Sequence, residues 1–190
     1  VYWLMGFVYS IPGQDQWDSL GTWAARFPSA ISSLLVMICL ADTVLLYVLE
    51  PNHDSPRKTA FITAFAFALS PLVMVWSRIA VSDSLLCGTL AISLLFLWRV
   101  YVNPSQEAWW FPWLCLGLAV LAKGPVGILI LFLTLLLFSF FQRVSPLYLF
   151  YRLRVFHGLL ITFLISSPWY ILEIVKEGKP FLNSFFGYHN

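Results

Sequence analysis

Charge is what this sequence has least of. Asp, Glu, Lys and Arg make up 11% of its residues, whereas a soluble domain carries about a quarter. With 60% of residues hydrophobic, too little polar surface remains to cover a water-exposed globule, and lipid is the solvent that fits. Cysteine is scarce as well. Cys39, Cys87 and Cys115 each lie inside an apolar run, with no CxxC or Cys/His spacing for a metal site, and read as small apolar residues. Basic runs are missing: the net charge is +2 and the cations are scattered, which argues against a nucleic-acid partner. The opening apolar run has no basic n-region and no small-residue cleavage site, so it does not read as a signal peptide. It starts on Val1, and the other end breaks off at Gly187-Tyr188-His189-Asn190. Both features give the expectation of a piece of a longer protein.

What is present is a series of long apolar runs. A spanning helix needs ~20 mostly apolar residues to cross ~30 Å of hydrocarbon, and backbone groups in lipid must be satisfied internally, which makes helices the default. The predicted fold is all-α: a polytopic integral membrane bundle with spans at about residues 24–49, 59–76, 84–101, 109–122, 125–141 and 155–174. An outer-face loop over 1–23 and an outer-face segment over 175–190 flank it. Lys123-Gly124-Pro125 breaks the long run between 109 and 141, and a lysine followed by two helix breakers predicts a turn at a membrane face. Trp98, Tyr101, Trp109, Trp110 and Trp113 fall where helices should emerge and fit an interfacial aromatic belt.

Loop cations divide into two sets. Arg57, Lys58, Arg99, Arg143, Arg152 and Arg154 form one, clustered toward 143–154; Arg26, Arg78, Lys123, Lys176 and Lys179 form the other. The clustered set reads as cytoplasmic. Single cations wedged between apolar runs are expensive and call for a reason. The expected outer face therefore gathers Arg26, Arg78, Asp83, Lys123 and the 173–190 segment. Cations there can ligate an anionic headgroup phosphate, Arg through a bidentate fork; snorkelling or ion pairing is the plain structural alternative. In the link over 77–84, Arg78 and Asp83 can pair, with Asp83 capping the following helix. Asp42 lies inside the first span, where helix–helix hydrogen bonding or a protonated state is expected. His157 reads as interfacial, and Gly117, Gly124, Gly127 and Gly158 as close-packing positions.

Several segments then occur in a telling order: Tyr2-Trp3-Leu4; Trp23-Ala24-Ala25-Arg26-Phe27-Pro28-Ser29-Ala30; Ser77-Arg78-Ile79-Ala80 with Asp83; Leu121-Ala122-Lys123-Gly124-Pro125; and Pro168-Trp169-Tyr170 followed by Phe185-Phe186-Gly187-Tyr188-His189-Asn190. Together they resemble the polyprenyl-phosphate-sugar-dependent glycosyltransferases, which include the aminoarabinose transferase acting on lipid A and the protein O-mannosyltransferases. The resemblance implies a GT-C type membrane fold that transfers a sugar from an isoprenoid phosphate to a lipid or protein hydroxyl. The expected setting is a bacterial inner membrane with the site facing the periplasm. It assigns Arg78, Lys123 and Arg26 to the donor phosphate and gives Asp83 a supporting catalytic role, with Tyr188 and His189 as further site candidates. The family's primary acidic pair and its Lys-Pro-Pro element precede the match to Tyr2-Trp3-Leu4, so this fragment is expected to be inactive alone. No cofactor is assigned; where a relative holds a divalent metal here, His189 is the matching ligand. A transporter, or a non-catalytic membrane subunit, is the alternative. A transporter would place its polar groups at mid-membrane, as Asp42 suggests, and a structural subunit would leave Arg78, Asp83 and Lys123 apart.

Overall fold

The computed structural model describes residues 6–8, 10, 21–48, 56–79, 82–105 and 107–177. Among these the regular structure is helical, with no strand. Helix α1 (Gly21–Thr43) runs on as a π-helical stretch, Val44–Val48, and is followed by α2 (Pro56–Leu69), α3 (Pro71–Trp76), α4 (Ser82–Val102), α5 (Phe111–Lys123), α6 (Val126–Gln142), α7 (Pro146–Arg152) and α8 (Val155–Glu177). Among the described residues, three helical stretches are long and apolar enough to cross a membrane: Ala25–Leu46, Ser82–Val102 and Val155–Lys176. Helices α5 and α6 are as apolar but shorter, at 13 and 17 residues. The chain is an all-α membrane bundle.

Two local features depart from the pattern read in the sequence. Where one span was expected over 59–76, α2 and α3 are separated at Ser70, whose ψ of 125° is extended. Pro71 causes this: it has no N–H to give, and its ring pushes the preceding residue out of the helical region. The stretch between the last two expected spans contains α7, opened by Pro146 and closed at Leu153.

Helix α5 is the centre of the bundle. Trp113, Leu116 and Ala119 are fully buried, against Leu86, Leu90 and Leu97 of α4, Leu131 of α6 and Val155 of α8. Helix α4 packs on one side of α5 and α8 on another; α1 lies against α4, and α2 against α1. Lipid is as apolar as leucine, so burial does not drive helices together here; close approach and interhelical hydrogen bonds do. Both are visible. Gly88 lets α4 touch α1 at Ser32, where a methyl group would overlap the serine hydroxyl, and Gly158 does the same for α8 against the Trp113 indole. Ser93 donates to the Pro112 carbonyl at 2.8 Å, and Thr162 to the Trp113 carbonyl at 3.0 Å. The outward faces of α6 and α8 carry exposed apolar side chains, Leu129, Phe140, Phe156 and Phe163 among them.

Candidate functional site

The antiparallel order of the helices brings four helix ends to one end of the bundle. The start of α1 is fixed to the start of α4, where the Ser84 hydroxyl donates to that of Ser29 at 2.6 Å and the Ser32 hydroxyl donates to the Ser84 carbonyl at 3.3 Å. The end of α8 is fixed to the end of α5 by Tyr170, whose hydroxyl donates to the Val120 carbonyl at 3.0 Å. Between these two fastenings Lys123 forms an ion pair with Asp83.

Local helix chemistry explains why those two residues stand there. Asp83 sits in the first turn of α4, at the positive end of its dipole, and Lys123 in the last turn of α5, at the negative end; each charge occupies the helix end that stabilises it. Gly124 then stops α5 with φ 83°, ψ −160°, a conformation reserved for glycine, while its N–H caps the Val120 carbonyl at 2.7 Å. That carbonyl thus accepts from both the turn and Tyr170. Pro125 follows as the N-cap of α6. The lysine is carried by a turn whose geometry is fixed from both sides.

The pair is accessible: the Lys123 side chain is 46% exposed and that of Asp83 30%. In water-facing surroundings such a pair contributes little to stability, roughly 0–1 kcal/mol, and either partner can exchange it for another ligand. Arg26, in the first turns of α1, and Arg78, in the turn after α3, are exposed and make no ion pair among the described residues. Arg78 lies five residues before Asp83, yet Asp83 takes Lys123 as its partner, not Arg78 as the sequence suggested. Asp83 is also inside the first turn, not at the capping position. Tyr188 and His189, with the rest of 178–190, and Tyr2-Trp3-Leu4 lie outside the described residues. Among the described residues, no group of three or more His, Cys, Asp or Glu side chains is placed to hold a metal.

At the other end, Asp42 makes a helix–helix hydrogen bond, one of the two outcomes expected of it. It pairs with Arg99 at 2.7 Å. The guanidinium also donates to the Thr43 hydroxyl at 2.8 and 2.7 Å and to the Cys39 carbonyl at 3.2 Å, and it lies 4.4 Å over the Phe96 ring. Arg99, read in the sequence as a loop cation, is buried between α1 and α4. The one signal that could have found this was spacing: Arg99 falls a little short of the end of its span and Asp42 a little short of the end of its own, which puts them level because α1 and α4 run in the same direction, start beside start. The carboxylate on which a transport pathway would turn is tied into a helix–helix clamp.

Fold and site together define the class: a helical membrane protein with an exposed carboxylate–ammonium pair where four helix ends meet. The family model for dolichyl-phosphate-mannose-protein mannosyltransferases matches residues 1–172, and the chain belongs to that family. Two proteins of Aquifex aeolicus (strain VF5), each described as an uncharacterized protein, are similar to it. One is 28% identical over 196 residues, covering 100% of this chain and 39% of the relative; the other is 26% identical over 185 residues, covering 97% and 34%. The chain therefore spans well under half the length of these relatives. No solved structure matches it.

Proposed function

We propose that this chain is part of a GT-C type membrane glycosyltransferase that moves a sugar from a polyprenyl phosphate to an acceptor hydroxyl, and that the Lys123 end of the bundle receives the donor phosphate. The observation that carries the reading is the exposed Lys123–Asp83 pair on a rigid turn, in a chain of this family. In the reaction the acceptor oxygen attacks the anomeric carbon, the bond from that carbon to the phosphate oxygen breaks, and the electron pair leaves with the phosphate. Negative charge develops on the leaving group, and a preorganised cation beside it lowers the barrier. Lys123 is that cation. Arg78 and Arg26 stand at the same end as further phosphate ligands. Asp83 holds Lys123 in place before the donor arrives and contacts sugar or acceptor hydroxyls afterwards.

The proton of the acceptor hydroxyl goes to a general base. We assign that base to the acidic pair that the family pattern places ahead of Tyr2, with Asp83 in support. The proposed setting is a bacterial inner membrane with this end facing the periplasm, in keeping with the clustered cations at the opposite end. His189 and Tyr188 are kept as acceptor-side candidates, and no metal is required by the scheme.

The test is transfer by the full-length protein, reconstituted in lipid nanodiscs with a polyprenyl-phosphate-linked sugar. Lys123→Gln is expected to lower transfer on the order of 10²-fold, the scale for loss of one preorganised electrostatic contact. Arg78→Gln and Arg26→Gln should have smaller effects of the same kind. Unchanged transfer by Lys123→Gln would remove the phosphate site from this end.

A further inference from the structure

The end of the bundle away from Lys123 holds a second feature that the transfer reaction does not use. A groove of about 500 Å³ opens beside the start of α8, lined by Trp109, Phe150, Tyr151, Arg154, Phe156 and His157 among others. Its walls are aromatic and its polar groups are cationic or neutral. Arg154 lies 5.0 Å over the Trp109 ring, and His157 stands edge-on to the same ring at 6.3 Å. Arg154 is exposed and holds φ 51°, an unusual conformation for a side chain of its size. Among the described residues it has no carboxylate partner. Asp42, a described carboxylate of this end, is held by Arg99. Arg57, Lys58 and Arg143 are exposed around the same end.

A groove of this charge is complementary to an anion, and its continuation says which kind. Phe156, on the groove wall, begins a stripe of exposed apolar side chains along α8 that continues through Leu160, Phe163 and Leu164. These positions share one helix face. Headgroup-sized cationic space at the mouth and an apolar track leading from it into the bilayer match a two-part ligand. A free inorganic anion would use only the mouth.

We propose that this groove is a binding site for an anionic phospholipid. Its phosphate lies against Arg154 and His157, its headgroup rests on Trp109 and Tyr151, and an acyl chain lies along Phe156, Leu160 and Phe163. Basic pockets between membrane helices bind acidic lipids by this combination of charge and apolar contact. The site is separate from the sugar-transfer end, and its occupancy does not depend on that reading.

Native mass spectrometry of the full-length protein, delipidated and then offered equal phosphatidylglycerol and phosphatidylcholine, tests the proposal. Wild type should retain phosphatidylglycerol by about fivefold or more over phosphatidylcholine, the scale of one cation at the membrane surface. Arg154→Asn, chosen because asparagine tolerates positive φ, should bring the ratio close to one. Arg143→Asn, which removes the same charge outside the groove, should leave it intact. Equal retention by wild type overturns the proposal, as does an equal loss in the two variants, which would mean diffuse charge attraction. Excess glycerol phosphate that displaces the lipid outright also overturns it, because the apolar track would then contribute nothing. A headgroup-photoreactive phosphatidylglycerol on wild-type protein gives the answer even if Arg154→Asn fails to fold. Labelling should map to residues 150–157, and labelling confined elsewhere sinks the site.

Discussion

The two ion pairs of this bundle are built on opposite plans. Arg99–Asp42 is a clamp: the arginine side chain is 4% exposed, against 51% for Asp42, and its Nε and Nη2 also donate to Thr43 and Cys39. Lys123–Asp83 is a single contact at a bundle end, with both partners reachable from outside. A buried cation with several protein acceptors is out of a ligand's reach, whereas an exposed one held by a single carboxylate is within it. The contrast separates structure from function more cleanly than charge or depth alone, since both pairs join neighbouring helices and both involve α4.

The largest effect on stability should come from breaking the clamp at its acidic partner. Asp42→Ala leaves the buried Arg99 guanidinium with only neutral acceptors; because the Asp42 side chain is itself 51% exposed, the cost is that of losing one charge-assisted hydrogen bond, about 1.5 kcal/mol. A lowered unfolding midpoint in detergent, largely restored by adding Arg99→Met, is the expected result; a midpoint unmoved by Asp42→Ala would mean the pair is not a clamp. Lys123→Gln should move the same midpoint less, by under about 1 kcal/mol, while abolishing most sugar transfer. If it unfolded the protein as Asp42→Ala does, the two ends would be alike and the contrast would fail. The smallest effect sharpens the Lys123 end. Tyr170→Phe deletes one interhelical hydrogen bond, about 0.6 kcal/mol, but loosens the carbonyl that also caps Gly124. Turnover should fall a few-fold with stability scarcely changed, and the KM for donor should rise, because the lysine is less well aimed.

Helix content and the turn at Lys123-Gly124-Pro125 were legible because long apolar runs and two adjacent breakers are local signals. The gathering of Arg26, Arg78, Asp83 and Lys123 at one end was legible too, since helices that alternate in direction return every second connection to the same end. Pairings were not. Asp83 chose Lys123, 40 residues away, over nearby Arg78 because α4 and α5 are neighbours, and no periodicity in one chain shows which helices touch. A helix–helix hydrogen bond was legible for Asp42, but not that its partner is Arg99, for the same reason. The break at Ser70 has a local cause in Pro71, but the apolar run that continues through it masks the break in the sequence. Gly88, whose missing side chain admits Ser32, gave no sign of being different from any glycine in a membrane helix.

The 13 residues of α5 rise about 20 Å, against ~30 Å of hydrocarbon. Its first turn lies level with Ser93, near the middle of α4, so α4 extends on the order of 14 Å past the point where α5 begins. The connection that carries Trp109 and Trp110 must descend into that notch. The notch is filled by protein: Arg152 of α7 donates to the Tyr101 carbonyl of α4 at 3.2 and 3.0 Å, and the Trp113 indole N–H donates to the Leu153 carbonyl at 3.2 Å. The short central helix is therefore gripped at its first turn by its neighbours, with α7 standing where the turns that α5 lacks would have been.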